Sequence, residues 1–535
     1  MNTRRLVCFL GGIALFGACS SAGPGDGTTG SGGNGSGGSG SAGATATGGT
    51  SGTGTGGSVG SPTGGLAGTG GGHSGGVSGS GGTGTGGTTA SGGAGGSTST
   101  GGATGSGGGG TGGATGTGGG GTGGSGGSSS GSGGASGSGG TAGTGGGAGA
   151  GGSGPTHWVG TWAASPYYDS GNQPPASLSN GVIRQITHVS IGGSQLRVQF
   201  SNLFGNGSVT IKSAHLALCK AAPLVDSTID TTTDTALAFS GTASVTIPQG
   251  QEVWSDAVSF TVAPLGNVTI TTAFGAVPSQ ITGHSGSRTN SYIQTGSSTV
   301  NAASMTSATS TEHWYIISGI DVMAPASNKA AVAIGDSITD GRGTDINKND
   351  RWTDDLSAHL QAMGTTSNVG MLNQGIGATN LVGTGTAAQA RYSRDVLGQS
   401  GVRYAIIYDG VNDILGGASF ASMKTVYDSL ISQGHTKGLL VYGATITPFG
   451  AYSGYMAAYE AVRQQVNTYI KSGAFDGVLD FDAAVTDGGI GGNPPELLSQ
   501  YATWTSADGS GDGLHPSPAG YQKMADSVSL SLFTK

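Results

Sequence analysis

The chain has 535 residues, of which 115 are glycine, 28 acidic and 20 basic, for a formal net charge of −8. The basic residues form no cluster, which argues against nucleic acid as a partner. No Cys/His group has the spacing of zinc ligands, so neither a metal nor a cofactor is expected.

In chain order, an export signal comes first. Arg4 and Arg5 precede the apolar run LVCFLGGIALFGA, a basic head and a short hydrophobic stretch that together read as a signal peptide over 1–19. The run is too short to span a bilayer. Gly17 and Ala18 before Cys19 make LFGAC resemble a bacterial lipoprotein cleavage box, although Phe16 stands where Leu is commoner. On that reading Cys19 becomes a lipidated N-terminus, and this anchor is the protein's tie to a membrane. The alternative is an ordinary signal peptide with an incidental cysteine.

Residues 20–154 follow. From Pro24 to Gly154 the sequence is almost only Gly, Ser, Thr and Ala, with Asp26 the sole acid and no Lys or Arg. Such a segment buries too little apolar surface to offset its ordering entropy, so a disordered, flexible tether is predicted, with an r.m.s. span of roughly 60 Å. GHSGG (Gly72 to Gly76) fits a nucleophile-elbow pattern, but no strand precedes it and no helix follows.

From 155 to 325 the apolar period is two. VIRQITHVS, QLRVQF, SVTIK, ASVTI, WSDAVSFTV, NVTITTAF and HWYIISGIDV are short, β-branched runs separated by turn residues. They predict an all-β, sandwich-like domain without a strong helix. Trp158, Trp162 and Trp254 read as core aromatics, with sugar stacking as the other option. Cys219, alone in the folded part, reads as a buried bystander.

From 326 to 535 the pattern becomes α/β. KAAVAIG (329–335), NVGMLN, VRYAIIY, GLLVYGATI and VLDF are each followed by a helical stretch, among them RWTDDLSAHLQAM (351–363) and PAGYQKMADSVSLSLF. Five strands in this arrangement predict a parallel five-stranded sheet flanked by helices. Ligands of such sheets sit beyond the carboxyl ends of the strands. Ser337 follows the first strand in GDS. NQGIGATN follows the second, with Asn373, Gly375, Gly377 and Ala378. DGVND follows the third, with Gly410, Asn412 and Asp413. DGLHP, with Asp512 and His515, precedes the last helix.

Each of these taken singly is most simply a turn, a cap or an Asx-turn. Jointly they are the parts of acyl transfer: a nucleophile in Ser337, a base in His515, an orienter of that base in Asp512, and oxyanion donors in Asn412, the Ser337 N–H and the 377–378 turn. Asp340 reads as an Asx-turn or loop anchor, and neither it nor Asp336 is given a catalytic role.

GDSITDG, NQGIGATN, GVND and DGLHP, in this order, resemble the four blocks of the GDSL/SGNH hydrolase family over residues 328–535. The resemblance implies a flavodoxin-like three-layer fold, Ser337 as nucleophile, Asn412 as oxyanion donor, and Asp512 with His515 as the rest of the triad. The family's second block ends in glycine where this chain has Ala378. The donor there is a backbone N–H, which alanine also has, so the role survives unless the turn demands a positive φ. Gly377 is the other candidate for that donor. The β-domain is similar to one that precedes the hydrolase in some secreted bacterial members.

An exported serine hydrolase of carboxylic esters is therefore expected, acting on small esters or acylated polysaccharide. The alternatives are a thioesterase or lysophospholipase using the same site, and a non-catalytic surface-binding protein.

Overall fold

The computed structural model describes residues 155–220, 226–486, 492–502 and 511–535. The predicted signal, Cys19 and the tether of 20–154 lie outside the described residues. Among the described residues no helix is long and apolar enough to cross a membrane.

From Thr156 to Pro325 the chain is almost wholly antiparallel β. One sheet runs, in spatial order, Thr156–Ala163, Ile317–Pro325, Gly193–Ser201 and Glu252–Trp254, with Val258–Val262 also paired to Gly193–Ser201. A second runs Thr309–Thr311, Ser291–Gln294, Val182–His188, Asn267–Phe274, Val209–Leu218 and Thr235–Ala236, with Val245–Ile247 added to Val209–Leu218, and Gly283–His284 pairs with Trp314–Tyr315 in a separate two-stranded sheet. Val159, Val198, Phe200 and Ile320 of the first sheet enter the same core as Val209, Leu216, Val268 and Ile270 of the second.

Two local expectations need correction. WSDAVSFTV forms two strands, because Ser255 breaks the ladder: its hydroxyl accepts the Val198 N–H at 3.0 Å while its own N–H donates to the Val198 carbonyl at 2.8 Å. Val182–His188 and Asn267–Phe274 are buried on both faces, so their polar residues are interior too. Arg184 pays for its burial with hydrogen bonds to Thr271 Oγ1 (2.9 Å) and to the carbonyls of Ser227 (2.6 Å) and Ala302 (2.8 Å).

Beyond Pro325 lies the five-stranded parallel sheet. Its spatial order is Val369–Gly375, Lys329–Gly335, Val402–Tyr408, Leu440–Ala444, Gly477–Leu479, which is 2-1-3-4-5 in chain order. The strands are largely apolar because both faces of the sheet are covered. Two of the helices start on serine caps: Ser419 Oγ accepts from Ser422 N ahead of Phe420–Thr436, and Ser517 Oγ accepts from Gly520 N ahead of Pro518–Asp526, with Pro518 in the first turn. The predicted last helix is interrupted. An α-helix ends at Asp526 and a 3₁₀ turn runs over Leu530–Thr534.

The two regions share one core. Strand Thr156–Ala163 lies against the edge strand Val369–Gly375. The approach is close enough that a Cβ on Gly160 would sit 2.7 Å from Leu372 Cδ1, and one on Gly370 would sit 2.7 Å from the Gly160 carbonyl oxygen. Ser190 Oγ accepts the Met371 N–H at 2.9 Å, and Gly160 N donates to Ser400 O at 2.9 Å.

Candidate active site

Strand order 2-1-3 puts the topological switch point between the first and third strands, where a crevice opens at their carboxyl ends. The register sets Gly335 level with Gly375 on one side and with Tyr408 on the other. Ser337, Gly377 and Gly410, each two residues further on, therefore leave the sheet at the same edge.

Ser337 is the first residue of the short helix Ser337–Asp340. Asp336 caps that helix, its carboxylate accepting the Ile338 N–H at 2.9 Å. The Ser337 N–H is thus among the helix-start donors that have no intrahelical acceptor. Ser337 Oγ lies 2.8 Å from His515 Nε2. His515 Nδ1 lies 2.6 Å from Asp512 Oδ2. The other oxygen of Asp512 accepts the N–H of Leu514 (3.0 Å) and of His515 (2.9 Å), so the carboxylate that orients the imidazole also builds the turn carrying it. Gly513 takes φ +74° in that turn.

The electrostatics suit a base. Burial pushes the Asp512 carboxyl up, but its bonds from His515 and from the turn outweigh this and hold it at about 2. Burial lowers His515 below its ordinary value. Asp512 opposes that shift, while Arg342 and Arg288 add to it. A neutral imidazole beside an ionised carboxylate can accept a proton from a neighbouring hydroxyl and would then be stabilised by the carboxylate.

Asn412 sits in the helix Val411–Leu415 after the third strand. Its Nδ2 donates to the Thr379 carbonyl at 2.8 Å. An amide carries two such hydrogens, which leaves one for a further acceptor. Asp413 binds the neighbouring loop, accepting from Leu381 N (2.6 Å) and Val382 N (3.0 Å). Asn373 ties the second strand to the Ser337 helix through Thr339 O (2.6 Å) and Thr353 Oγ1 (2.9 Å).

At Ala378 the condition attached to the expected role is met. The turn does demand a positive φ, and Ala378 adopts +60°. A glycine takes this conformation freely, whereas alanine holds it at a cost of order 1–2 kcal/mol. Among the described residues no group of three or more His, Cys, Asp and Glu side chains is placed to hold a metal ion.

Residues 333–523 match the family described as GDSL-like lipase/acylhydrolase. This stretch is a GDSL hydrolase domain. The chain is accordingly a carboxylic ester hydrolase. Similar solved structures include a member of the lipolytic G-D-S-L family from Veillonella parvula (21% identity over 39% of this chain and 99% of that one, TM-score 0.28) and an acetylxylan esterase from Geobacillus stearothermophilus (19% identity, 39% and 95%, TM-score 0.30). A GDSL-like lipase from Bacteroides thetaiotaomicron is 17% identical over 38% of this chain and 87% of that chain, with TM-score 0.29. No curated protein matches the chain.

Four residues around the GDSL domain's site carried no functional signal in the sequence. Asp340, three residues after Ser337, is buried and paired with His284 and Arg288 of the β-region. Arg342 lies 4.0 Å from Asp512. Asp340 was visible in GDSITDG as a possible anchor. His284, 56 positions away, had nothing local to mark it. The tryptophans follow the core reading in part: Trp162 is buried edge-on to Trp314, while Trp158 and Trp254 flank the Arg197 guanidinium at 4.6 and 4.2 Å.

Proposed function

We propose that this hydrolase is an exported serine esterase that works through an acyl-enzyme on Ser337. The observation that carries the reading is the unbroken run of contacts Ser337 Oγ to His515 Nε2 (2.8 Å) and His515 Nδ1 to Asp512 Oδ2 (2.6 Å) at the switch point of the sheet. His515 Nε2 takes the Ser337 proton as Oγ attacks the ester carbonyl carbon. The carbonyl electrons move to oxygen, and the oxyanion is met by the Ser337 N–H, an N–H of the 377–378 turn and Asn412 Nδ2. Collapse breaks the C–O bond, and His515 returns the proton to the departing alcohol. Water, deprotonated by His515, then releases the acid and regenerates Ser337. The signal-like residues 1–19 and the glycine-rich stretch behind Cys19 support a surface location. That location in turn favours an acyl group carried on polysaccharide over an intracellular ester.

The test is active-site labelling. A fluorophosphonate should modify one serine, within the peptide AVAIGDSITDGR, and Ser337→Ala should lose both labelling and turnover of p-nitrophenyl acetate. An acetylated polysaccharide run beside nitrophenyl esters of rising chain length reads the acyl preference. Full turnover by Ser337→Ala would sink the mechanism.

A further inference from the structure

The short helix that starts at Ser337 ends at Asp340, and the β-region grips that end. The Asp340 side chain is 5% exposed and that of His284 is 4% exposed. His284 Nε2 lies 2.9 Å from Asp340 Oδ1, and Arg288 reaches Oδ2 at 3.5 Å. The Asp340 carbonyl accepts Arg351 Nε at 3.0 Å, and Arg351 also donates to the Ser287 carbonyl. A side chain on Gly286 would overlap the carboxylate. Thus residues 284–288 close over one acid from the sandwich side.

His284 is itself held. Its Nδ1 lies 2.9 Å from the Ser165 carbonyl, which can only accept, and its ring stands between Tyr167 and Trp314. Both ring nitrogens therefore have a polar partner, which fixes the orientation of the ring. Asp340 faces this ring together with Arg288 and Arg351. Burial raises the carboxyl, but His284 first and then the two arginines keep it below the ordinary carboxylate range. A carboxylate buried this deeply is held by its partners, and losing one leaves it uncompensated.

On its other side Asp340 meets the second candidate oxyanion element. A side chain on Gly375 would overlap the Asp340 backbone, and a Cβ on Gly377 would lie 3.6 Å from Asp340 Oδ2. One buried acid at the end of the Ser337 helix therefore lies between the 375–378 turn and the β-region. A shift of Asp340 changes the distance between the Ser337 hydroxyl and the N–H groups of that turn.

We propose that His284 of the β-sandwich is a positioning residue of the hydrolase, acting through Asp340 to fix the Ser337 helix against the 377–378 turn. This gives the β-region a place in turnover, and it rests on Ser337 being the nucleophile. Misplacement by about 1 Å costs on the order of 10²-fold in such sites, so His284→Gln should lower kcat by about 10- to 100-fold with KM little changed. The measurement is kcat and KM for p-nitrophenyl acetate per fluorophosphonate-titrated site, which removes any loss from unfolded protein, with Tm read in parallel. Asp340→Asn and the pair His284→Gln/Asp340→Asn should cost no more than one of them alone, since both break the same link.

Arg288→Gln, at a partly exposed residue, is the second variant. It should lower kcat several-fold. It should also move the acidic limb of the pH profile upward, because it removes a cation facing His515 while Asp512 and Arg342 stay. A lower Tm with wild-type kcat per titrated site in His284→Gln would overturn the proposal. If His284→Gln yields no titratable enzyme, wild-type kcat and an unmoved pH limb in Arg288→Gln would overturn it instead. Labelling of wild-type enzyme outside AVAIGDSITDGR would overturn the nucleophile assignment itself, and so separates the two failures.

Discussion

Ala378 and His515 show how single backbone and side-chain states set the site. Ala378 occupies a left-handed turn at φ +60°, where its Cβ crowds the chain. Ala378→Gly removes that strain but frees the unfolded chain, so the net gain should be about 0.5–1 kcal/mol. A thermal melt should show a Tm a few degrees higher, with turnover retained because the backbone N–H is unchanged. A lower Tm would mean that the turn is not strained. For His515 the sign follows from its role as acceptor. In the proposed mechanism the neutral form is the active one, and burial with Arg342 and Arg288 lowers its pKa below 6.5 despite Asp512. Activity should therefore be full at neutral pH and fall only as pH drops through a value below 6.5. A kcat/KM profile for p-nitrophenyl acetate with its acidic midpoint above 7 would contradict this.

At the scale of elements, the helix Trp352–Ala362 carries a conflict. Asp354 and Asp355 lie in its first turn, where the helix dipole favours anions. Asp354 gains further from Arg351 at 3.1 Å. Asp355 does not: burial first, then Asp354, Asp350 and Asp526, push its carboxyl up to about 7, and one of its oxygens is buried without a partner among the described residues. Burial and like charge outweigh the dipole. An acid whose folded pKa is raised binds its proton more tightly in the native state, so stability falls as pH rises from about 4 through 7. Asp355→Asn should raise Tm at pH 8 and do much less at pH 5. Equal effects at both pH values would show that ionisation is not the cause.

The whole molecule divides differently from its sequence composition. No candidate site residue lies in 24–154, so removing that stretch should leave ester turnover by the protein unchanged. A chain beginning at 326 should lose most of its turnover and melt at lower temperature, although it keeps Ser337, Asn412, Asp512 and His515. It would expose the Leu372 face of the sheet and leave Gln374 and Arg391 without Ser165, which they contact at 2.8 and 3.0 Å. Normal activity of that shorter chain would show that the β-region is only an appendage.

Much of this was legible along the chain because its causes are local. Periods of two and then alternating strands and helices reflect which faces meet a core within a few residues. GDS, GVND and DGLHP are legible because each puts its chemistry in one turn, as Asp512 does when it binds the two N–H groups that precede and belong to His515. The positive φ of Ala378 was hidden, since alanine composition says nothing of a conformation that the surrounding strands impose. The grip of His284, Ser287 and Arg288 on the Ser337 helix was hidden for a stronger reason. Those residues belong to the β-region, His284 at the end of the short strand Gly283–His284 and the other two in the loop after it, and only packing two regions around one core brings a histidine and an aspartate 56 positions apart to 2.9 Å. Sequence alone determined the strands, their turns and the order of the chemical groups. Tertiary structure decided which buried charges face each other, because pairing energy depends on distance in space and on exclusion of water, and neither is a property of a short stretch of chain.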